Sequence, residues 1–191
     1  MPKPPELIVF FGLIATGKST LAQTWAKAEG LEYYNSDRVR KELAGLAAEC
    51  SRKESLGQGI YSKEFSRKTY TALLERAEEN LRAGRSVVLD GSYQSIGERE
   101  RIRELARQYQ APVCFVFCQC PESVLKERLV MRANDPKAVS DGRWEIYLEQ
   151  KKRFSPPDEL EKIELLVFST EGEVDVLINE LTHKLEEKIG R

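Results

Sequence analysis

The sequence has few of the residues that build metal centres and disulfide frameworks. Its 191 residues include one histidine, His183, and four cysteines. Cys118 and Cys120 lie too close together for the usual zinc-binding pair, which is separated by at least two residues. The fragment from Cys114 to Cys118 is otherwise apolar and is typical of a buried strand. We therefore expect reduced cysteines that pack as small hydrophobic side chains, and no zinc site.

An excess of charge is also missing. The chain has 30 basic and 31 acidic residues, a net charge of −1, and 41% hydrophobic residues. This composition is typical of a folded domain and excludes a disordered or strongly polyanion-binding chain. A nucleic-acid partner is compatible with a local basic groove, but the overall charge does not support it.

Long apolar runs are absent as well. The run Leu7–Phe11 follows Lys3 and superficially resembles a signal peptide, but it is too short to span a membrane. It leads directly into a glycine-rich loop that cleavage there would destroy. We expect a cytoplasmic protein without a membrane partner.

This loop carries the most specific motif of the chain, G-x-x-x-x-G-K-[ST], between a strand pattern and a helix pattern. In such a loop, backbone N–H groups and a helix N-terminus hold the phosphates of a nucleoside triphosphate. Lys18 is expected to reach the β- and γ-phosphates, and the Ser19 hydroxyl to bind Mg²⁺. The expected nucleotide-binding residues are Gly12, Leu13, Ile14, Ala15, Thr16, Gly17, Lys18, Ser19 and Thr20.

Apolar runs alternate with helical patterns along the whole chain. This alternation predicts a three-layer α/β domain around a parallel sheet, and residues 1–191 are expected to form one domain. The predicted strands are Leu7–Phe11, Glu32–Asn35, Ser86–Leu89, Val113–Cys118 and Leu165–Phe168. The predicted helices are Lys18 to about Glu29, Ser36 to about Leu46, about Ser62–Ala83, Glu98–Tyr109, Pro121 to about Arg132, about Gly142–Arg153, and Val174–Ile189. Ser36 is the predicted N-cap of the second helix.

Two aspartates follow predicted strands, where chemistry gathers in a parallel sheet. Asp90 ends an apolar strand, a pattern that is typical of a carboxylate holding Mg²⁺, with a turn-capping residue as the alternative. Asp37 and Arg40 project from one face at a helix start, as a proton acceptor and a substrate-binding group could. The alternative for Asp37 is an acidic residue that only stabilises the helix dipole.

Two arginines lie one helical turn apart before a polar segment rich in helix breakers. Arg128 and Arg132 could neutralise the charge of a transferring phosphoryl group if the segment at about 128–145 is a lid. The alternative is a solvated basic helix face. Ser92 and Tyr93, with Arg99 and Arg101 beyond them, are interpreted as polar surface residues.

Taken together, these motifs resemble the P-loop kinases of the polynucleotide-kinase, zeta-toxin and gluconate-kinase type. They resemble more closely small predicted kinases that are often fused to aminoglycoside-phosphotransferase-like domains. The resemblance covers about Leu7 to Glu159 and implies a P-loop NTPase fold with five parallel strands in the order 2-3-1-4-5 and a helical lid. It implies that Asp37 is the general base and Arg40 binds the acceptor, that Arg128 and Arg132 act from the lid, and that adenine lies near the loop before the last helix.

The resemblance also leads to an expectation for Ala15. Relatives often have glycine there, so we expect a negative φ for Ala15. A positive φ would be strained and would count against this alignment.

The leading hypothesis is an ATP- and Mg²⁺-dependent kinase in which Lys18, Asp37, Arg128 and Arg132 are catalytic and the acceptor is a hydroxyl group of a small molecule. Two alternatives stay open. One is a 5′-hydroxyl polynucleotide kinase. The other is a regulatory ATPase or GTPase without a small-molecule acceptor, although no Asn-Lys-x-Asp guanine motif occurs in the chain.

Overall fold

The computed structural model describes residues 4–47, 59–133 and 144–190. The strands are β1 (Leu7–Phe11), β2 (Glu32–Asn35), β3 (Val87–Asp90), β4 (Val113–Gln119) and β5 (Leu165–Ser169). The helices are α1 (Lys18–Ala28), α2 (Ser36–Leu43), α3 (Lys63–Arg82), α4 (Ile96–Gln108), α5 (Glu122–Ala133), α6 (Trp144–Arg153) and α7 (Val174–Ile189), with a short 3₁₀ turn at Gly59–Tyr61. All strand pairs are parallel, in the order β2-β3-β1-β4-β5. The predicted fold and strand order are confirmed.

Strand β1 shows why the sheet is the middle of three layers. All five of its residues are fully buried, because helices cover both faces of the sheet. Leu7, Val9 and Phe11 pack in one cluster with side chains of α3 and α4. Ile8 and Phe10 pack in another with side chains of α1 and α7. The continuous apolar run in the sequence is therefore the pattern of a central parallel strand.

The predicted start and end of α2 need correction. The side chain of Asn35, rather than that of Ser36, caps this helix by accepting from the backbone N–H groups of Asp37 and Arg38. The helix ends at Leu43 rather than near Leu46, because Gly45 adopts a left-handed φ of 67°.

Similarly, α4 begins at Ile96, two residues before the predicted start at Glu98. The reason is a capping box in which Ser95 and Glu98 satisfy each other's backbone N–H groups. The predicted start is therefore the third residue of the helix.

The parallel register brings the ends of several strands to one edge of the sheet. Asn35 at the end of β2 lies beside Asp90 at the end of β3, and Asp90 lies beside Phe10 of β1. The glycine-rich loop leaves β1 at this same edge. The sheet thus brings Asn35, Asp90 and the glycine-rich loop, which lie at the ends of three neighbouring strands, next to one another.

The cysteines pack largely as expected. Cys114 and Cys118 are free and fully buried, and Cys120 is free and half-buried. Burial raises the pKa of the Cys114 thiol to about 12. Cys50 lies outside the described residues. None of the helices in the described ranges has the length and hydropathy needed to cross a lipid bilayer.

Candidate functional site

Two glycines let the loop between β1 and α1 pass very close to other groups. A Cβ atom on Gly12 (φ 139°) would lie 2.6 Å from the carbonyl oxygen of Cys118. A Cβ atom on Gly17 (φ 84°) would lie 2.9 Å from Nη1 of Arg128. Since both positions need positive φ and lack room for a side chain, the two glycines of the motif are a steric requirement of this loop.

The expectation of a negative φ at Ala15 is wrong. Ala15 has a φ of 62°, in the left-handed region that costs a residue with a side chain about 1–2 kcal/mol. Its methyl group is buried in a cluster with Leu125, Leu129 and Tyr147. The path of the loop therefore imposes the strained conformation, while the methyl group gains apolar contacts with α5 and α6.

The start of α1 is open to an anion. Gly17 provides no side-chain cap, and the first turn of α1 contains no acidic residue. A helix start with free N–H groups attracts negative charge. Among the described residues, Nζ of Lys18 makes only a long contact of 3.5 Å, with the carbonyl oxygen of Leu13. The Lys18 ammonium group is thus held weakly at the position from which it could reach a phosphate.

One amide of the loop already donates to a side chain. The backbone N–H of Ile14 donates to Oε1 of Gln150 in α6, at 2.9 Å. The amide oxygen of Gln150 therefore touches the loop where the motif would present its N–H groups to phosphate oxygens.

Asp90 forms the centre of a cluster of polar side chains beside the phosphate loop. Its carboxylate is fully buried, and Oδ2 accepts hydrogen bonds from the Tyr33 hydroxyl at 2.7 Å and from Nδ2 of Asn35 at 2.6 Å. Nδ2 of Asn35 also lies 3.5 Å from Oγ of Ser19, so the amide links the carboxylate to the loop. Burial, followed by the charge of Asp90, raises the pKa of Tyr33 above its usual range, which keeps this hydroxyl a donor.

The second oxygen of Asp90 is a candidate ligand for a cation. Oδ1 is buried and has no hydrogen-bond partner in the described structure, although a buried carboxylate oxygen is normally satisfied. Oxygen atoms of carboxylates and hydroxyls are the ligands that Mg²⁺ prefers. Asp90 and Ser19 therefore fit the predicted magnesium site, in which water and phosphate oxygens would supply the other ligands.

Asp37 lies in the first turn of α2. Burial raises the pKa of its half-buried carboxyl group above the ordinary value, against the opposing effects of Arg40 and Lys18. A raised pKa brings a carboxylate closer to the range in which it can accept a proton effectively. Asp37 and Lys18 are thus close enough to interact, although they come from different elements.

Arg40 is only partly available to a ligand. It is 6% exposed, and its Nη1 donates to the carbonyl oxygen of Ile60 at 2.7 Å and to Oγ of Ser66 at 3.2 Å. Its guanidinium group also lies over the ring of Tyr61. Nε, however, is buried without a hydrogen-bond partner in the described structure. The predicted role of Arg40 in acceptor binding stays a prediction.

A large cleft of about 820 Å³ joins these residues to the faces of three helices. Its floor contains Lys18 and Ser19 of the loop and Asp37 and Arg40 of α2. Its helical walls are formed mainly by Lys63, Ser66, Arg67 and Tyr70 of α3, Glu98 and Arg101 of α4, and Ile146, Gln150 and Arg153 of α6. The spacing of three and four residues puts each set on one side of its helix. The large cleft has the size of a small-molecule site.

Arg128 lies at a second, smaller cleft of about 270 Å³, between α1, α5 and the loop before α7. Its Nη1 donates to Oγ1 of Thr170 at 3.1 Å, and its Nη2 donates to the carbonyl oxygen of Thr170 at 2.6 Å. The Thr170 hydroxyl also donates to the carbonyl oxygen of Thr16 in the phosphate loop. Arg128 therefore joins the loop to the segment where the resemblance places adenine. Its action on a transferring phosphoryl group stays a prediction.

The predicted lid is described only in part. Leu125 and Leu129 of α5 and Tyr147 of α6 pack against Ile14 and Ala15 of the phosphate loop. Residues 134–143 lie outside the described residues, and so does the side chain of Arg132. The packing shows that both described flanks of the predicted lid contact the phosphate loop.

Sequence reasoning missed several residues of the site. Asn35, whose side chain both caps α2 and binds Asp90, gave no signal because its contact with Asp90 joins residues 55 positions apart. Gln150 gave no signal because it lies far from the loop in sequence. The interpretation of Tyr93 and Arg99 as surface residues is wrong, since both are buried. Arg99 is an internal anchor that binds Glu159 and the carbonyl oxygen of Tyr93.

Comparison with known proteins places this site in a family. A family model described as an AAA domain matches residues 7–157. An uncharacterized protein of Mycobacterium tuberculosis strain H37Rv is 31% identical over 128 residues, which are 67% of this chain and 26% of the relative. The chain thus spans about a quarter of the length of the curated relatives it matches.

Solved structures of P-loop kinases share the fold. A sugar kinase from Janibacter sp. HTCC2649 is 21% identical with a TM-score of 0.70, covering 96% of this chain and 95% of that chain. A gluconokinase from Sinorhizobium meliloti 1021 is 19% identical with a TM-score of 0.66, covering 99% and 96%. The predicted fold of P-loop kinases, including the gluconate-kinase type, is confirmed.

Proposed function

The chain belongs to the AAA domain family matched at residues 7–157, and we propose that it is a kinase that transfers the γ-phosphoryl group of ATP to a hydroxyl group of a small molecule. The observation that carries the proposal is the shared cleft. The large cleft is lined at once by Lys18 and Ser19 of the phosphate loop and by Asp37, and its volume of about 820 Å³ exceeds what a hydrolytic water needs. A proton acceptor, a phosphate site and room for a second substrate therefore lie together.

On the donor side, the loop binds the triphosphate. Free N–H groups at the start of α1 and the Lys18 ammonium group attract the phosphate oxygens. Ser19 and Oδ1 of Asp90 would hold Mg²⁺, which neutralises phosphate charge when it is bound. The adenosine part would extend toward the smaller cleft, where Arg128 and Thr170 provide polar groups.

On the acceptor side, Asp37 accepts the proton of the attacking hydroxyl. The acceptor oxygen forms a bond to the γ-phosphorus as the bond from that phosphorus to the β–γ bridging oxygen breaks, and ADP leaves. The raised pKa of Asp37 favours this proton transfer, because a weakly acidic carboxyl group is a better base than a fully solvated one. Arg40 would orient the acceptor through Nε, while Arg128 and Arg132 would stabilise the transferring group from α5.

The proposal is tested by the dependence of ADP production on an alcohol. Purified protein with MgATP is assayed alone and with pooled sugars, sugar acids, aminoglycosides and 5′-hydroxyl oligonucleotides. We expect slow turnover alone and stimulation by small alcohols, and Lys18→Ala is expected to abolish both. Rapid turnover without any acceptor would favour a regulatory ATPase. Stimulation by oligonucleotides alone would favour a polynucleotide kinase.

A further inference from the structure

The charge of the large cleft differs sharply from that of the whole chain. The chain carries a net charge of −1, yet among the residues that the structure describes six cationic side chains and only two carboxylates line the cleft. The cations are Lys18, Arg40, Lys63, Arg67, Arg101 and Arg153, and the carboxylates are Asp37 and Glu98. Burial raises the pKa values of both carboxyl groups, which makes their negative form less favourable. The cleft is therefore a strongly positive region of a nearly neutral protein.

On helix α3, the arginines outside the cleft form ion pairs, and the arginine that lines the cleft forms none within the described residues. Outside the cleft, Arg76 pairs with Glu42 at 2.6 Å and Arg82 with Glu78 at 3.0 Å. Arg67, which faces the cleft, has no carboxylate oxygen within 4 Å among the described residues.

Helix α4 repeats this contrast. Arg99, Arg103 and Arg107 each bind a glutamate. Arg101, which faces the cleft, donates only to the hydroxyl of Thr71, at 3.2 Å, within the described part of the chain. On both helices the arginines that turn away from the cleft form ion pairs with glutamates, and those that line it form none within 4 Å in the described part of the chain.

Arg40 adds a buried donor to this surface. It is 6% exposed and lines the cleft, and its Nε has no hydrogen-bond partner in the described structure. A buried, unsatisfied guanidinium nitrogen is unfavourable unless a ligand supplies an acceptor. Arginine also presents its N–H groups in a geometry that suits carboxylate, phosphate and sulfate oxygens.

We infer that the acceptor of the proposed kinase carries an anionic group, a carboxylate, phosphate or sulfate, which Arg67 and Arg101 bind while its hydroxyl faces Asp37. This inference rests on the proposed function for the hydroxyl, but the anion site itself does not depend on phosphoryl transfer. The volume of the cleft, about 820 Å³, is that of a small-molecule site and favours a small acid over an extended polyanion. The shared feature of the ligand is a compact group of negatively charged oxygens.

The test compares acids with neutral molecules of the same skeleton. Binding to the full chain with MgADP is measured by calorimetry for D-gluconate against D-glucitol, its open-chain neutral counterpart, and for glycerol 3-phosphate and D-glycerate against glycerol. We expect at least one acid to bind more tightly than its neutral counterpart. Arg67→Gln and Arg101→Gln should each weaken that acid about tenfold, the effect of one charge-assisted hydrogen bond.

The control variants remove the same charge from the same helices outside the cleft. Arg82→Gln on α3 and Arg107→Gln on α4 each disrupt an exposed ion pair, so acid binding should stay within about twofold of wild type. If the control variants lose as much affinity for the acid as Arg67→Gln and Arg101→Gln do, the overall charge of the protein, and not the cleft, attracts the acid.

The inference is overturned if no acid binds more tightly than its neutral partner, or if Arg67→Gln and Arg101→Gln leave the preference intact. Tighter binding of a 5′-hydroxyl oligonucleotide than of any small acid would overturn it in favour of a nucleic-acid site. Labelled ATP then reports transfer separately. An acid that binds through both arginines but is never phosphorylated supports the anion site and contradicts the proposed kinase. Transfer of the phosphoryl group to neutral alcohols alone supports the proposed kinase and contradicts the anion site.

Discussion

The substitution Asp37→Asn removes a charge and a proton acceptor and keeps nearly the same shape. The backbone N–H of Asp37 donates to Oδ1 of Asn35 at 3.0 Å, so the start of α2 does not depend on the carboxylate. The effects of the substitution on phosphoryl transfer, nucleotide binding and stability can therefore be measured separately.

The expected loss of activity is large. A positioned general base contributes about 10²–10⁴ to the rate, so kcat should fall by that factor. This range corresponds to about 3–5.5 kcal/mol of transition-state stabilisation. Nucleotide affinity should stay close to that of wild type, because the loop and the start of α1 provide the phosphate contacts.

Although activity is expected to fall, the stability of the folded protein is expected to rise. Burial raises the pKa of Asp37 in the folded state, so the folded protein holds this proton more tightly than the unfolded chain. Stability is therefore lost as the pH rises from the ordinary carboxyl pKa through the folded value. Because asparagine cannot ionise, Asp37→Asn should increase the free energy of unfolding at about pH 8. The difference should shrink as the pH falls below the ordinary carboxyl range.

Asp175→Asn is the matched control. Asp175 is exposed in the first turn of α7 and lies outside both clefts. Its replacement should cost about 0.3–1 kcal/mol, the value of a carboxylate at a helix start, and leave phosphoryl transfer unchanged. Initial rates with MgATP and the best acceptor, calorimetric nucleotide binding and urea denaturation provide the three readouts.

Two results would refute the assignment of Asp37. If Asp37→Asn lowers stability as Asp175→Asn does and transfers at the wild-type rate, Asp37 only stabilises the start of α2. If nucleotide affinity falls as much as transfer does, Asp37 acts on the donor and not on the acceptor.

Other substitutions test the phosphate loop. Ala15→Gly should raise the free energy of unfolding by up to about 1 kcal/mol, since relief of the left-handed strain exceeds the entropy cost of glycine. A free energy of unfolding below that of wild type in urea denaturation would show that burial of the methyl group outweighs the strain. Gln150→Ala should lower the free energy of unfolding without nucleotide by about 1 kcal/mol, because the Ile14 N–H loses its acceptor. Nucleotide affinity should not fall, and a loss of affinity in calorimetry would instead make Gln150 part of the nucleotide site.

The fold was predictable because its signals are local. The run Leu7–Phe11 has the pattern of a strand covered on both faces, and the loop motif after it requires a strand and a helix around it. Gly84 and Pro121 mark where neighbouring helices end or begin. The strand order came from the resemblance to P-loop kinases, and the pattern alone did not specify it.

The details of the site depend on contacts between distant residues, which the sequence pattern does not encode. Asn35 caps α2 and also binds Asp90, 55 residues away. Gln150 reaches the N–H of Ile14 across 136 residues. The positive charge of the large cleft was also hidden, because paired and unpaired arginines alternate on the same helices and the total charge of the chain is nearly zero.

Ala15 shows the limit of reasoning from residue preferences. We expected a positive φ to count against the alignment, but the family model spans this loop while Ala15 has a φ of 62°. Preference predicts the average cost of a conformation. In the folded protein, the path of the surrounding loop and the apolar contacts of Ala15 with α5 and α6 stabilise the left-handed conformation despite that cost.

The central claim is that phosphate passes to an alcohol and not to water. The most direct measurement uses ATP labelled with ¹⁸O in its γ-phosphoryl group, incubated with Mg²⁺, protein and the alcohol panel, with products identified by mass spectrometry. The kinase assignment predicts a phosphorylated alcohol that carries the labelled phosphoryl group, with little labelled inorganic phosphate. Label found only in inorganic phosphate, with every alcohol unchanged, would contradict it.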